Sequence, residues 1–128
     1  MTTSWAHLPN AKHIDRILAD SKKNINKWYT ALESLRGAAW SEWDIAWDAA
    51  RAVVRNDAND ARVVAWNSVA AHDSRYIIRG AILALIAWDD CAYLLDEKPE
   101  DVLIFALLGN RAAVLLYPAC VALQKEMA

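Results

Sequence analysis

The amino-acid sequence predicts an all-α fold, a compact bundle of five or six helices around one central hydrophobic helix at about 75–95. The first observation is composition: 3 Gly and 3 Pro in 128 residues are too few for the turns of a sandwich or barrel. The second is that apolar residues recur at three- and four-residue steps. With 56% hydrophobic residues the chain can form one core, so we expect a single domain over 1–128, with 1–9 as an N-terminal arm.

The first predicted helix begins at Asn10, a residue suited to an N-cap, and ends at Gly37. Between them, apolar side chains recur at helical spacing: Ile14, Ile17, Leu18, Ile25, Trp28, Tyr29, Leu32 and Leu35. Charged residues occupy the other side, which is typical of an amphipathic helix. In the arm, Trp5 and Leu8 are the residues expected to attach it to the domain.

The second predicted helix starts near Ser41 and has a stripe rich in tryptophan. The stripe contains Trp40, Trp43 and Trp47. Residues 56–60 are poor helix formers, which favours a break there and a third helix from about 60 to 71. Whether 41–72 is one helix or two stays open.

The fourth predicted helix, 75–95, is apolar almost all round in its middle, so it belongs at the centre of the domain. A fifth helix should start at Pro99 and stop at Gly109, and Asn110 should cap a sixth that ends near Gln124. We expect these last two to be short buried helices.

The charges of the central helix are reversed with respect to its dipole, with arginines early and aspartates late. The second helix has the opposite order. If the two helices run parallel, opposite charges face each other at both ends, and we predict cross-helix ion pairs that set the register. The residues concerned are Asp44, Asp48, Arg51, Arg55, Arg75, Arg79, Asp89 and Asp90. The alternative, that all eight charges are solvated, stays open.

Several classes of function are not supported by the sequence. Net charge is −2, with 14 basic and 16 acidic residues interspersed, so no basic face for nucleic acid is expected. Apolar runs are too short or too interrupted for a membrane span, and we expect a cytoplasmic protein. Cys91 and Cys120 are predicted to be buried free thiols. No catalytic residue, metal, cofactor or small-molecule substrate is predicted.

Three of the seven tryptophans can form an interaction surface, because tryptophan is enriched where proteins bind one another, whereas Trp28, Trp66 and Trp88 are expected to fill the core. Trp40, Trp43 and Trp47 are the predicted contact residues, for a protein partner or a second copy of the chain; core filling is the alternative. The enzymatic alternative is a small metal-dependent phosphohydrolase using His72 and Asp73, although two residues do not make a metal site.

The segments Ala-Ala-Trp-Ser-Glu-Trp (38–43) and Ala-Trp-Asp-Ala-Ala-Arg (46–51) resemble the Ala/Trp/Arg-rich segments of small tailed-bacteriophage proteins. The resemblance covers about residues 40–95 and carries no catalytic residues. It implies a small phage accessory protein that acts on a host protein or assembles in the virion. If phage-encoded, such a protein would work in the host cytoplasm.

Overall fold

The computed structural model describes residues 5–54, 56–69 and 74–124, and every regular element in these ranges is helical. Besides a short 3-10 helix at Ala92–Asp96, the described chain forms α1 (Ala11–Lys23), α2 (Ile25–Ala38), α3 (Trp40–Val53), α4 (Asn56–Asn67), α5 (Arg75–Ala87), α6 (Pro99–Leu107) and α7 (Arg111–Leu123). The predicted all-α class is confirmed, with more helices than expected. None of the helices in these ranges is long and apolar enough to cross a membrane.

Two helices, α5 and α7, form the centre of the bundle. In α5 the side chains from Ile77 to Ile86 are buried, apart from the half-buried Arg79. In α7 residues 112–120 are all buried. Helix α7 packs against α2, α3, α5, α6 and the 3-10 helix, while α5 also packs against α1, α3 and α4. The predicted enclosed helix is therefore present, and α7 shares its central position because it too is apolar on all sides.

The first predicted helix is in fact two helices, α1 and α2, separated at Asn24. The backbone of Asn24 leaves the helical region (φ −127°, ψ 45°). The carboxylate of Asp20 accepts a hydrogen bond from Asn24 Nδ2 at 2.8 Å and another from Trp28 Nε1 at 2.9 Å. Asp20 thereby satisfies the indole of Trp28, which is fully buried. The expected single helix was wrong because these contacts stabilise a bend.

The N-terminal arm is attached to the domain as expected. Trp5 and Leu8 are each 5% exposed, and Trp5 Nε1 donates to Asp15 Oδ1 at 2.8 Å. Asn10, which directly precedes α1, was predicted to cap this helix through its side chain. That side chain makes no cap bond in α1.

Asn10 instead caps the carboxyl end of α5. Its Nδ2 donates to the carbonyl oxygens of Leu85, at 2.9 Å, and Trp88, at 3.2 Å. Helix α5 ends at Ala87, and the predicted continuation to 95 was wrong: Trp88 is extended, and the 3-10 helix follows. Two aspartates at 89–90 oppose the helix dipole at this end, which also favours termination.

The segment 41–72 contains a helix break, which settles the question left open by the sequence. Helix α3 ends at Val53, and Val54 is extended (φ −66°, ψ 126°). Helix α4 already begins at Asn56, four residues before the predicted start.

The residues that start the last two helices were predicted correctly. Pro99 opens α6, and Asn110 Oδ1 accepts a hydrogen bond from the backbone N–H of Ala113 at 3.1 Å.

Replacing Asn10 tests the long-range cap. Asn10→Ala should lower the free energy of unfolding by about 1–3 kcal/mol, because carbonyl oxygens at the end of α5 lose a buried donor. Urea denaturation followed by circular dichroism measures this change. Asn26→Ala, at an exposed position of α2, is the control and should change stability by less than about 0.5 kcal/mol. Equal effects of the two substitutions would contradict the assignment.

Candidate functional site

Helices α3, α4 and α5 together build an aromatic cluster, which consists of Trp40, Trp43, Trp47, Trp66 and Tyr76. The three α3 indoles lie on one side of the helix because they recur every three or four residues. Tyr76 meets Trp40 and Trp43 edge-on, at 5.7 and 6.3 Å between ring centroids. Trp47 lies 6.1 Å from Trp43 and 5.1 Å from Trp66. Such pairs each add about 0.5–1.5 kcal/mol beyond the burial of area.

Gly80 allows α3 to approach α5 closely enough for these contacts. A β-carbon at this position would lie 2.5 Å from Trp43 Cζ2 and 3.3 Å from Trp47 Cζ3. The shorter distance is well inside van der Waals contact, so any larger residue displaces the Trp43 indole. Glycine is therefore required at position 80 by packing.

The cluster opens on one side into a shallow depression of about 510 Å³. We call it the aromatic depression; it is lined by Arg36, Trp40, Trp43, Asp44, Trp47 and Tyr76. The structure thus brings the three predicted contact tryptophans together, with different exposure. Trp40 is 45% exposed, Trp47 is half-buried and Trp43 is only 4% exposed. Trp40 is the accessible edge, and Trp43 belongs to the core.

Three arginines border the aromatic cluster. The guanidinium of Arg36 lies 6.0 Å from the ring centroid of Trp40. Those of Arg62 and Arg79 lie 5.1 and 5.6 Å from Trp66. Arg79 Nε also donates to the carbonyl oxygen of Trp66 at 3.3 Å. Burial, and then a neighbouring arginine, lowers the pKa of Arg79. The ring faces thus attract cations, as their quadrupole requires.

The hydroxyl of Tyr76 is buried next to the guanidinium of Arg36. The same phenol lies near enough to Arg36 to be the main cause that raises the pKa of this guanidinium. Arg36 Nη1 itself donates to Glu33 at 3.0 Å. Tyr76 and Arg36 thus place two polar groups beside each other in the lining of the depression.

The residues predicted to form cross-helix ion pairs lie on α3 and at both ends of α5. Most are exposed: Asp44, Asp48, Arg51, Arg75, Asp89 and Asp90. Arg55 lies outside the described residues. Trp40 meets Tyr76 near the start of both helices. Further along, Trp47 lies beside Gly80, so α3 and α5 advance in the same direction, as the pairing requires. The ion pairs themselves stay a prediction, and the side chain of Arg79 is engaged by Trp66.

The described residues bring together no group of three His, Cys, Asp or Glu side chains that could hold a metal ion. His72 and Asp73, the pair behind the phosphohydrolase alternative, lie outside these residues. The alternative therefore stays a prediction from the sequence.

Both cysteines are free and buried, as predicted. Cys91 Sγ donates to the carbonyl oxygen of Trp88 at 3.2 Å, and Cys120 Sγ donates to that of Leu94 at 2.9 Å. Burial, and then nearby aspartates, raises the pKa of each thiol to about 12. Neither thiol is a nucleophile at neutral pH, because the reactive form is the thiolate.

Sequence reasoning missed one surface, the outer side of α6. Ile104, Phe105, Leu107 and Leu108 are all exposed there. The apolar run after Pro99 was predicted to form a buried helix. A helix with an exposed apolar side would have the same run, so the sequence does not distinguish the two. Tyr76 and Arg36 were also not assigned to the site, because only the packing of α2 and α5 on α3 places them beside the tryptophans.

Comparison of the chain with protein-family models, with curated proteins and with solved structures gave no match.

A substitution at Gly80 tests the packing that forms the site. Gly80→Ala should lower the free energy of unfolding by about 1–3 kcal/mol, because the new methyl group meets the buried indole of Trp43. Chemical denaturation gives the stability, and near-ultraviolet circular dichroism reports the displaced tryptophans. Gly37→Ala is the matched control: it has open space in α2 and should stabilise by about 0.5–1 kcal/mol. The same sign at both positions would contradict the packing argument.

The raised thiol pKa values predict a loss of stability in alkali. The ordinary thiol pKa is 9.0 and the folded values are about 12, so above pH 9.0 the unfolded chain loses thiol protons that the folded chain keeps. The free energy of unfolding should therefore fall as pH rises from 9.0 toward 12. Urea titrations of the wild type and of the double variant Cys91→Ala/Cys120→Ala measure this. The stability difference between the two should shrink over this range, and a constant difference would refute the prediction.

Proposed function

We propose that this protein is a non-enzymatic interaction module that binds a protein partner through the aromatic depression. The observation that supports this most directly is the exposed Trp40, which lies at the edge of a depression whose other aromatic residues are held by packing. An indole that is 45% exposed beside buried rings offers a large apolar area to a partner. Tryptophan and arginine are the side chains most often found at the energetic centre of protein interfaces.

The depression is preorganised for binding. Trp43 and Trp47 contact each other and pack against α5 at Gly80, so their rings are already ordered. Little side-chain rotational freedom is therefore lost when a partner docks. Its rim carries one cation, Arg36, and one anion, Asp44. This lining fits a peptide segment with an apolar side chain that enters the depression and a polar group that meets Arg36 or Asp44 at its rim.

The class of partner is proposed from the sequence. The resemblance of 40–95 to small tailed-bacteriophage proteins includes Trp40, Trp43 and Trp47. It supports a host or virion protein as the partner and the host cytoplasm as the place of action. The exposed charges along α3, among them Asp44 and Asp48, would then add specificity around the apolar contact.

The test compares two exposed positions of α3. Tagged wild type, Trp40→Ala and Ile45→Ala are used for affinity capture from a bacterial lysate, and each captured protein is then purified and titrated. We expect a protein whose affinity falls at least about tenfold with Trp40→Ala, because an aromatic anchor is lost. Ile45→Ala removes an equally exposed side chain outside the depression and should change affinity by less than about threefold.

Far-ultraviolet circular dichroism checks that both variants remain folded. If every captured protein binds Trp40→Ala as tightly as wild type, the aromatic depression is not the binding surface and the proposal fails.

A further inference from the structure

Helix α6 exposes its most apolar side to solvent. Its buried stripe consists of Val102 and Ala106. On the opposite side, Ile104, Leu107 and Leu108 are 54%, 60% and 80% exposed. At 100° per residue these three positions fall within an arc of about 100°. The side chains that face water are therefore larger and more apolar than those that face the core.

Single exposed leucines are ordinary, but a continuous group of this kind marks a contact surface. We call the group Ile104, Phe105, Leu107 and Leu108 the α6 face. Its four side chains are between 40% and 80% exposed, so they form one contiguous apolar group on the surface.

We infer that the α6 face is the interface of a homodimer, in which two copies of α6 pack antiparallel about a two-fold axis. A two-fold interface requires a surface that is complementary to itself. The apolar part satisfies this requirement. If the axis passes between Ile104 and Leu107, Ile104 of each copy lies opposite Leu107 of the other copy.

The charges around the α6 face are also self-complementary in this arrangement. Glu100 and Asp101 lie one turn before Ile104, on the same side of the helix. Past the other end, the exposed Arg111 begins α7. Antiparallel pairing brings the acidic end of each helix toward Arg111 of the second copy, and it also opposes the two helix dipoles favourably. A parallel pair would bring like charges together.

The area sets the strength of the dimer. With four apolar side chains from each copy, the interface is small and lies at the low end of the areas that specific interfaces bury. We therefore expect a reversible dimer with a Kd on the order of 10–100 μM rather than an obligate one. A lipid surface is a poorer occupant, because acidic residues flank the α6 face where membrane-binding helices carry lysine and arginine.

The oligomeric state of the full chain tests the inference. Sedimentation velocity from about 1 to several hundred μM should show a shift from monomer to dimer with the Kd expected above. Leu108→Glu, at a position 80% exposed and thus harmless to folding, should weaken dimerisation at least about tenfold. Ile45→Glu, on the exposed side of α3, is the matched control and should dimerise like the wild type.

A charge exchange tests the orientation. Arg111→Glu should weaken the dimer, and adding Glu100→Arg should restore it, because the opposite charges then meet again. A wild type that remains monomeric throughout the concentration range overturns the inference, as does a dimer insensitive to Leu108→Glu. Binding to anionic vesicles in place of dimerisation also overturns it. Each outcome is independent of Trp40, so it leaves the proposed function to its own test.

Discussion

Where α3 meets α5, the missing side chain of Gly80 lets the indole of Trp43 lie against the backbone of the central helix. Trp43 then contacts Tyr76 on one side and Trp47 on the other. Because protein interiors are densely packed, moving one of these rings moves its neighbours. The position of the exposed Trp40 thus follows from a contact in the core, and the surface inherits the rigidity of the packing beneath it.

The arginines around the aromatic cluster show how this fold accommodates charge next to apolar rings. Arg62 and Arg79 lie over Trp66, and Arg79 also donates to a carbonyl oxygen of the same residue. A guanidinium is planar and weakly hydrated, so it covers an indole at lower cost than an ammonium group would. The carboxylates of Asp44 and Asp48 stay exposed on α3. The charged side chains therefore lie around the aromatic cluster, whose rings form an apolar interior.

Sequence patterns predicted the features that depend on neighbouring residues. They missed the features that depend on contacts between residues far apart in the sequence. Pro99 and Asn110 mark helix starts through their own backbone and side chain, and both were predicted. Asn10 looks like an N-cap, but its side chain serves a helix end 75 residues away. The tryptophan stripe of α3 was visible as a period, whereas Tyr76 joined it only through packing. The apolar run of α6 does not reveal from composition which side is covered.

The bend at Asn24 places α1 against α5 and α2 against α7, so the two halves of one amphipathic segment lie on different central helices. A straight helix through 11–38 would be about 42 Å long, more than the diameter of a small domain. The bend therefore replaces one long helix with two shorter ones. The second of these, α2, packs on α7, which is translated last of the seven helices. Until α7 leaves the ribosome, the apolar side of α2 lacks its main packing partner, so we expect the compact bundle to form only after this last helix has been synthesised.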